Sequence, residues 1–145
     1  MPVETRPARS ADLPAIVGLL NECNLPTGDL TEDLLATFRV AEAGGQLVGV
    51  AGFEPSDKDG LLRSLAVAAT HRGTGLGARL IAECEAGARE AGLQNLYLLT
   101  TTADAYCRRL GYRDVPRETV PAAIAGHPQF RGLCPASAKC LHKAL

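Results

Sequence analysis

The chain has 145 residues, with 15 Lys and Arg against 16 Asp and Glu, and a formal net charge of −1. This length fits one domain, residues 1–145, with a substantial core, and the charge balance argues against a nucleic-acid or anionic-membrane partner. No apolar run is long enough to span a bilayer, and the start Met-Pro-Val-Glu-Thr-Arg has none of the marks of a signal peptide, so a cytoplasmic protein is expected.

In chain order, Val3 to Pro7 reads as a first strand. Ser10 can cap a helix whose apolar residues Leu13, Ile16, Val17 and Leu20 follow helical spacing. Asn24 to Asp29 is a loop, and Thr31 is placed to cap a second short helix through Phe38. Arg39 to Glu42 and Gln46 to Phe53 read as strands around Gly44-Gly45, a hairpin signal. Pro55 to Gly60 is a polar turn, with Glu54 expected to be exposed at its edge.

Leu61 to Ala68 is apolar enough for a central strand. A helix follows from about Thr74 to Ala91, stopped at Gly92, with Leu76, Leu80, Ile81 and Cys84 as its buried stripe. Leu96 to Thr102 is the next strand, and Ala103 to Leu110 a short helix ended by Gly111. The tail from Tyr112 to Leu145 should hold two strands around an irregular stretch at Pro121 to Gly126. Meander and parallel crossover are mixed, which makes the class α+β.

The chemistry concentrates where the central strand runs into Arg72-Gly-Thr-Gly-Leu-Gly77 and a helix opens. Glycines let backbone approach a ligand closely, and the first N–H groups of a helix carry partial positive charge. Such a turn cradles a pyrophosphate. A Walker A loop would need Gly-Lys-Ser/Thr, but Leu76-Gly77-Ala78 follows Gly75. A Rossmann fingerprint would need a further Gly two residues beyond Gly75's successor, in an early strand–helix unit.

What remains, V-x-x-x-x-R-G-x-G-x-G from Val67 to Gly77, resembles motif A of the GNAT (GCN5-related) N-acetyltransferases. Ala69 stands where that family usually has proline. The element order is similar to the GNAT fold over nearly the whole chain. The resemblance implies acetyl-CoA as co-substrate, with Leu65, Ala66 and Val67 contacting the thioester and pantetheine through main chain. Arg72, Gly73, Thr74, Gly75, Leu76 and Gly77 would hold the pyrophosphate. A small-molecule amine is the implied partner, and a homodimer is left open.

Thr100 to Tyr112 resembles motif B, N-x-x-A-x-x-x-Y-x-x-x-G-F. Thr100 stands at the asparagine, and Ala103, Gly111 and Tyr112 match. Both Thr100 and Ala103 are thereby assigned to the cofactor side. The family's tyrosine, a general acid, falls on Cys107 here, and Tyr106 lies one residue earlier, about 100° around the helix. Either side chain is a candidate acid, and packing is the alternative for both. The glutamate that histone-type members use as base falls on Leu61. Glu54 could act through water instead, with an exposed turn residue as the alternative, and an amine of low pKa needs no strong base.

Arg63 is an arginine in an apolar strand and needs an anionic partner. Strict alternation puts residues 61, 63, 65 and 67 on one face, so Arg63 reads as a clamp on an anionic acceptor, or as an internal ion pair with Glu42 or Glu54. The Thr100-Thr-Thr102 hydroxyls, Thr102 in particular, lie at a strand end that commonly meets ligand.

Leu25-Pro26, Leu62 to Val67, Leu98 to Ala103 and the tail Phe130-x-x-Leu-Cys-Pro-x-Ser-Ala-x-Cys140 resemble the ArsN-type acetyltransferases of arsenic-resistance operons. That implies acetylation of an amino acid or an amino-acid-like toxin. The five cysteines (Cys23, Cys84, Cys107, Cys134, Cys140) lack zinc-site spacing and are expected as reduced, packed thiols, with no metal. Arsenic at Cys134 and Cys140 is the alternative. His71, His127 and His142 form no motif. Two other functions stay open: protein or peptide N-acetylation, and an acyl-CoA-sensing domain without its acid.

Overall fold

The computed structural model describes residues 2–130 and 138–145. Seven strands form one mixed sheet in the order β1-β2-β3-β4-β5-β7-β6. Strands β1 (Val3–Pro7), β2 (Phe38–Ala43), β3 (Gln46–Ser56) and β4 (Asp59–Val67) make an antiparallel meander. Strand β5 (Asn95–Thr100) joins β4 in parallel, and β7 (Lys139–Ala144) inserts antiparallel between β5 and the two-residue β6 (Arg113–Asp114). Helix α1 (Leu13–Glu22) covers one face of the sheet, and α2 (Leu76–Glu90) with α3 (Asp104–Arg109) covers the other.

Leu76, Leu80, Ile81 and Cys84 are buried on α2, as the helical spacing requires. They pack on Ala41, Phe53, Leu62 and Leu96. Glu85 on the same helix is buried as well. It accepts from the Tyr112 hydroxyl (2.9 Å) and from Lys143 (3.0 Å), which ties α2 to β7. Across the sheet, Ile16 and Leu20 of α1 pack on Phe38, Val40, Val50 and Ala66. A third cluster joins Leu61 and Cys140 to Ile124 of the short α4 (Ala122–Ala125). No helix of the described residues is long and apolar enough to cross a membrane.

Several expectations change. Ser10 does not cap α1: it opens a 3₁₀ turn, Ser10–Asp12, and Asp12 stands at the α1 N-cap. The helix expected from Thr31 is a 3₁₀ turn, Glu32–Thr37, because Phe38 is drawn into β2 opposite Gly52. The Thr37 hydroxyl donates to the Phe53 carbonyl and closes that segment onto β3. The polar turn shrinks to Asp57-Lys58, with Asp57 at φ 58°, so Glu54 lies inside a strand and not at a loop edge. The irregular tail contains α4 and a 3₁₀ turn, Arg117–Thr119.

The alternation expected along β4 is also overturned. Val50 pairs with Ala66 but Gly52 with Arg63, so β4 carries an extra residue, and Ser64 sits there at φ 60°. This bulge reverses the facing of everything beyond it. Leu61 packs on the α4 side and Ala66 on the α1 side, whereas Leu62, Leu65 and Val67 face α2.

Gly52 admits the Phe38 ring so closely that a methyl there would overlap it. Gly52→Ala is expected to destabilise the fold by about 1–3 kcal/mol, read as a lower midpoint in urea unfolding.

Candidate active site

β4 and β5 pair only over Asp59–Leu61 and Asn95–Tyr97. Beyond that point they part, and a cleft of about 720 Å³ opens between Leu62–Val67 on one side and Leu98–Thr100 on the other. The Ala68 N–H donates to Val48 O (2.8 Å), so by ladder alternation the polar main-chain groups of Val67 turn away from β3 and into the cleft. Arg72 Nε meets Val67 O there at 3.1 Å. Leu65, Ala66 and Val67 all line the cleft.

At the foot of the cleft lies the glycine turn. Gly73 (φ 77°) and Gly75 (φ 84°) adopt left-handed conformations that L side chains disfavour. Gly75 caps α2 without a side-chain hydrogen bond. The orphan N–H groups of a 15-residue helix thus face the cleft beside Arg72. The Thr74 hydroxyl donates to His71 O (2.6 Å) and holds the turn closed. Backbone donors, a helix N-terminus and a guanidinium together fit a pyrophosphate.

Gly77 has a different task. A Cβ there would lie 2.8 Å from the Tyr106 hydroxyl oxygen. Its absence lets Tyr106 reach α2, where the hydroxyl accepts the Ala78 N–H. Desolvation raises the Tyr106 pKa above its ordinary value against that bond. Cys107 is 3% exposed, and burial pushes its thiol up to about 11. Both border the cleft, and both hold their protons at neutral pH. Thr100 Oγ1 accepts the Ala103 N–H (2.9 Å) and shapes the entry to α3.

At the opposite end the cleft continues into a polar pocket of about 410 Å³, which Ser64, Thr100, Thr102 and Gln129 line. Arg63 borders both cavities, and its side chain is fully buried. The internal ion pair is the geometry found. Arg63 donates to both Asp29 oxygens (2.5 and 2.7 Å) and to Glu54 (2.6 Å), while Glu42 pairs with Arg6 instead. His127 Nε2 meets Glu54 at 2.5 Å. The Gln129 N–H donates to His127 Nδ1 (3.1 Å), so Nε2 carries the histidine proton.

Burial pushes Asp29 and Glu54 up, but Arg63, with His127 at Glu54, outweighs it and holds both below the ordinary carboxylate range. Asp29, Glu54 and His127 lie within 4.8 Å of one another, and the Arg63 guanidinium stands where a metal ion would have to sit.

Residues 35–114 match the model of the acetyltransferase (GNAT) domain. The chain belongs to the GNAT family. The amino-acid acetyltransferase of Ralstonia nicotianae is 35% identical over 94 residues, 63% of this chain and 21% of that one. This GNAT chain therefore spans about a fifth of the length of that relative. Among solved structures, N-acetylglutamate synthase of Neisseria gonorrhoeae, in complex with coenzyme A and N-acetyl-glutamate, superposes with a TM-score of 0.85 at 24% identity, over 100% of this chain and 35% of that one. Rv2747 of Mycobacterium tuberculosis, in complex with CoA, has a TM-score of 0.81 at 22% identity, over 98% and 99% of the two chains. The fold is the α+β GNAT fold.

Asp29 and the Glu54–His127 contact had no local signal in the sequence, since their partners lie 34 and 73 residues away. Cys140 is buried, and its thiol is pushed up to about 11. Cys134 lies outside the described residues.

Arg63→Ala would leave two partly buried carboxylates without their cation, at an expected loss of about 3–5 kcal/mol. The pH dependence should also reverse. In the parent, the lowered pKa values of Asp29 and Glu54 make stability fall as pH falls through them. In the variant, burial and mutual repulsion raise them, so stability should fall as pH rises above about 4. Urea unfolding across the acid-to-neutral range reads both slopes.

Proposed function

We propose that this GNAT chain transfers acetyl from acetyl-CoA to the α-amino group of a small amino acid or amino-acid-like compound. The observation that carries this reading is one continuous cleft with two unlike ends: a helix-terminus cradle at Arg72–Gly77, and a small polar pocket at Ser64, Thr102 and Gln129. The pocket volume suits a free amine of amino-acid size. The name of the Ralstonia relative and the product bound to the Neisseria synthase support the same acceptor class.

When bound, acetyl-CoA supplies an acetyl group activated as a thioester. The glycine turn and Arg72 hold the pyrophosphate, and Leu65 and Ala66 wall the pantetheine. The Val67 N–H faces the cleft and is placed to meet the thioester carbonyl oxygen, where charge develops. Thr102 presents a hydroxyl to the acceptor. Arg63 braces the pocket wall with its charge committed to Asp29 and Glu54.

The leaving thiolate needs a proton, and Tyr106 is the better placed donor. Its oxygen lone pair is taken by the Ala78 N–H, which leaves its proton free to point elsewhere. Cys107 packs into the core cluster.

CoA release from acetyl-CoA, followed by chromatography, tests the reading on a panel of amino acids and glutamate-like toxins, with a free-N-terminal peptide as comparison. Turnover on an amino acid or toxin is expected, and turnover on the peptide alone would overturn the reading. Tyr106→Phe should lower kcat by about 10²-fold with little change in the KM for acetyl-CoA. Cys107→Ser should leave kcat within about threefold, on the scale of a general acid's contribution. The opposite pattern would make Cys107 the donor.

A further inference from the structure

His127 follows α4 and belongs to neither GNAT motif. It does not line the acceptor pocket, but Gln129, two residues on, does. The turn between them is held by the Phe130 N–H, which donates to His127 O (2.9 Å). The imidazole itself is fixed by two groups that cannot exchange roles. The ionised Glu54 only accepts, so Nε2 must donate to it (2.5 Å). The Gln129 N–H only donates, so Nδ1 must accept it (3.1 Å). Neutral imidazole with its proton on Nε2 satisfies both, and imidazolium does not.

A proton added at Nδ1 would face the Gln129 N–H, donor against donor. Gln129 is 5% exposed, so water does not readily replace the lost partner. Among the described residues, the charged groups around the ring are Glu54 of β3, Asp29 of the loop after α1 (3.9 Å) and, through both carboxylates, Arg63 of β4. The two carboxylates attract an imidazolium. The proton is therefore admitted at the expense of the Gln129 bond. Histidine is the side chain whose ordinary charge change falls between about pH 5 and 8.

We propose that His127 is a positioning residue for the acceptor pocket: as a neutral imidazole it holds Gln129 in the wall, and on protonation it lets Gln129 go. The acceptor affected is the one given by the amino-acid reading, on which this inference rests. Gln129 does not line the larger cleft, so the cofactor end is outside the effect.

Two measurements on the full chain test this. The first needs no acceptor. The protection factor of the Gln129 backbone amide, followed by heteronuclear NMR, should fall about tenfold between about pH 8 and pH 5.5. In His127→Asn, whose Oδ1 replaces the Nδ1 acceptor and takes up no proton, it should stay level. The second is kcat/KM for an amino-acid acceptor at saturating acetyl-CoA, as the ratio of parent to His127→Asn at each pH. The titration of the amine cancels in that ratio, which should fall about tenfold over the same range, while the KM for acetyl-CoA does not follow it. His127→Leu, which has no acceptor to offer, should show the deficit at both ends of the range, and His127→Asn should recover most of it at the upper end. Thermal melting with acetyl-CoA confirms that each variant is folded. A Gln129 amide that does not respond to pH, or a flat ratio with turnover intact, overturns the inference and leaves the amino-acid reading standing. Silence on every amino acid, with acetyl-CoA bound, overturns that reading, and the amide signal alone then decides whether His127 holds Gln129.

Discussion

Two parallel strands that share three residues each and then separate are the constraint on which the site depends. β4 stays paired to β3 while β5 turns away, so one edge of β4 becomes a wall with its main-chain groups exposed to a cleft. Backbone groups removed from water need partners, and an edge of this kind is a recognition surface for a ligand that runs beside it. The bulge at Ser64 sharpens the effect. An extra residue increases local twist and re-aims the side chains, which sends Arg63 to one face and Leu65 to the other. Without it, Arg63 and Val67 would share a face, and a guanidinium would stand beside the proposed acyl site.

Two polar clusters brace the parted strands. On one face, Arg63 joins the loop after α1 through Asp29, β3 through Glu54 and, by way of His127, the segment after α4. On the other face, Glu85 of α2 is held by Tyr112 and by Lys143 of β7. Buried ion pairs contribute little net stability, because desolvation offsets their attraction. Their effect here is geometric. Each cluster joins segments far apart in sequence and admits few alternative arrangements, so the walls of the cleft keep their separation.

Much of this was legible in the sequence where the signal was local. The glycine turn, the α2 stripe and the β2–β3 hairpin are set by residues within a few positions of one another, and the structure carries them. The failures share a cause. Ser64 has no signature of a left-handed residue, so the bulge was invisible and strict alternation misplaced Leu65 and Val67. Glu54 looked like a turn residue because Pro55 to Gly60 is polar, yet the strands run through to Ser56 and Asp59. His127 looked isolated because its partner is 73 residues away. Arg63 was legible as an arginine in need of an anion, but nothing local chose between Glu42 and Glu54 or pointed to Asp29.

The proposal of Tyr106 over Cys107 as the acid rests on the third glycine of the turn. Gly73 and Gly75 are required by their dihedral angles, whereas Gly77 is required by a neighbour. Only with hydrogen at that position can α3 approach α2 closely enough for a phenol to cap the Ala78 N–H. Once that bond forms, the rotation of α3 is set. Tyr106 is anchored at the cleft by its oxygen, and Cys107, a hundred degrees or so around the helix, turns into the core beside Leu62 and Leu98. The family pattern read by position puts the acid on Cys107, while packing puts an available proton on Tyr106. Because the proton must travel through space, the proposed acid follows contact geometry and not alignment, and the one-residue offset would then be a consequence of how α3 sits on Gly77.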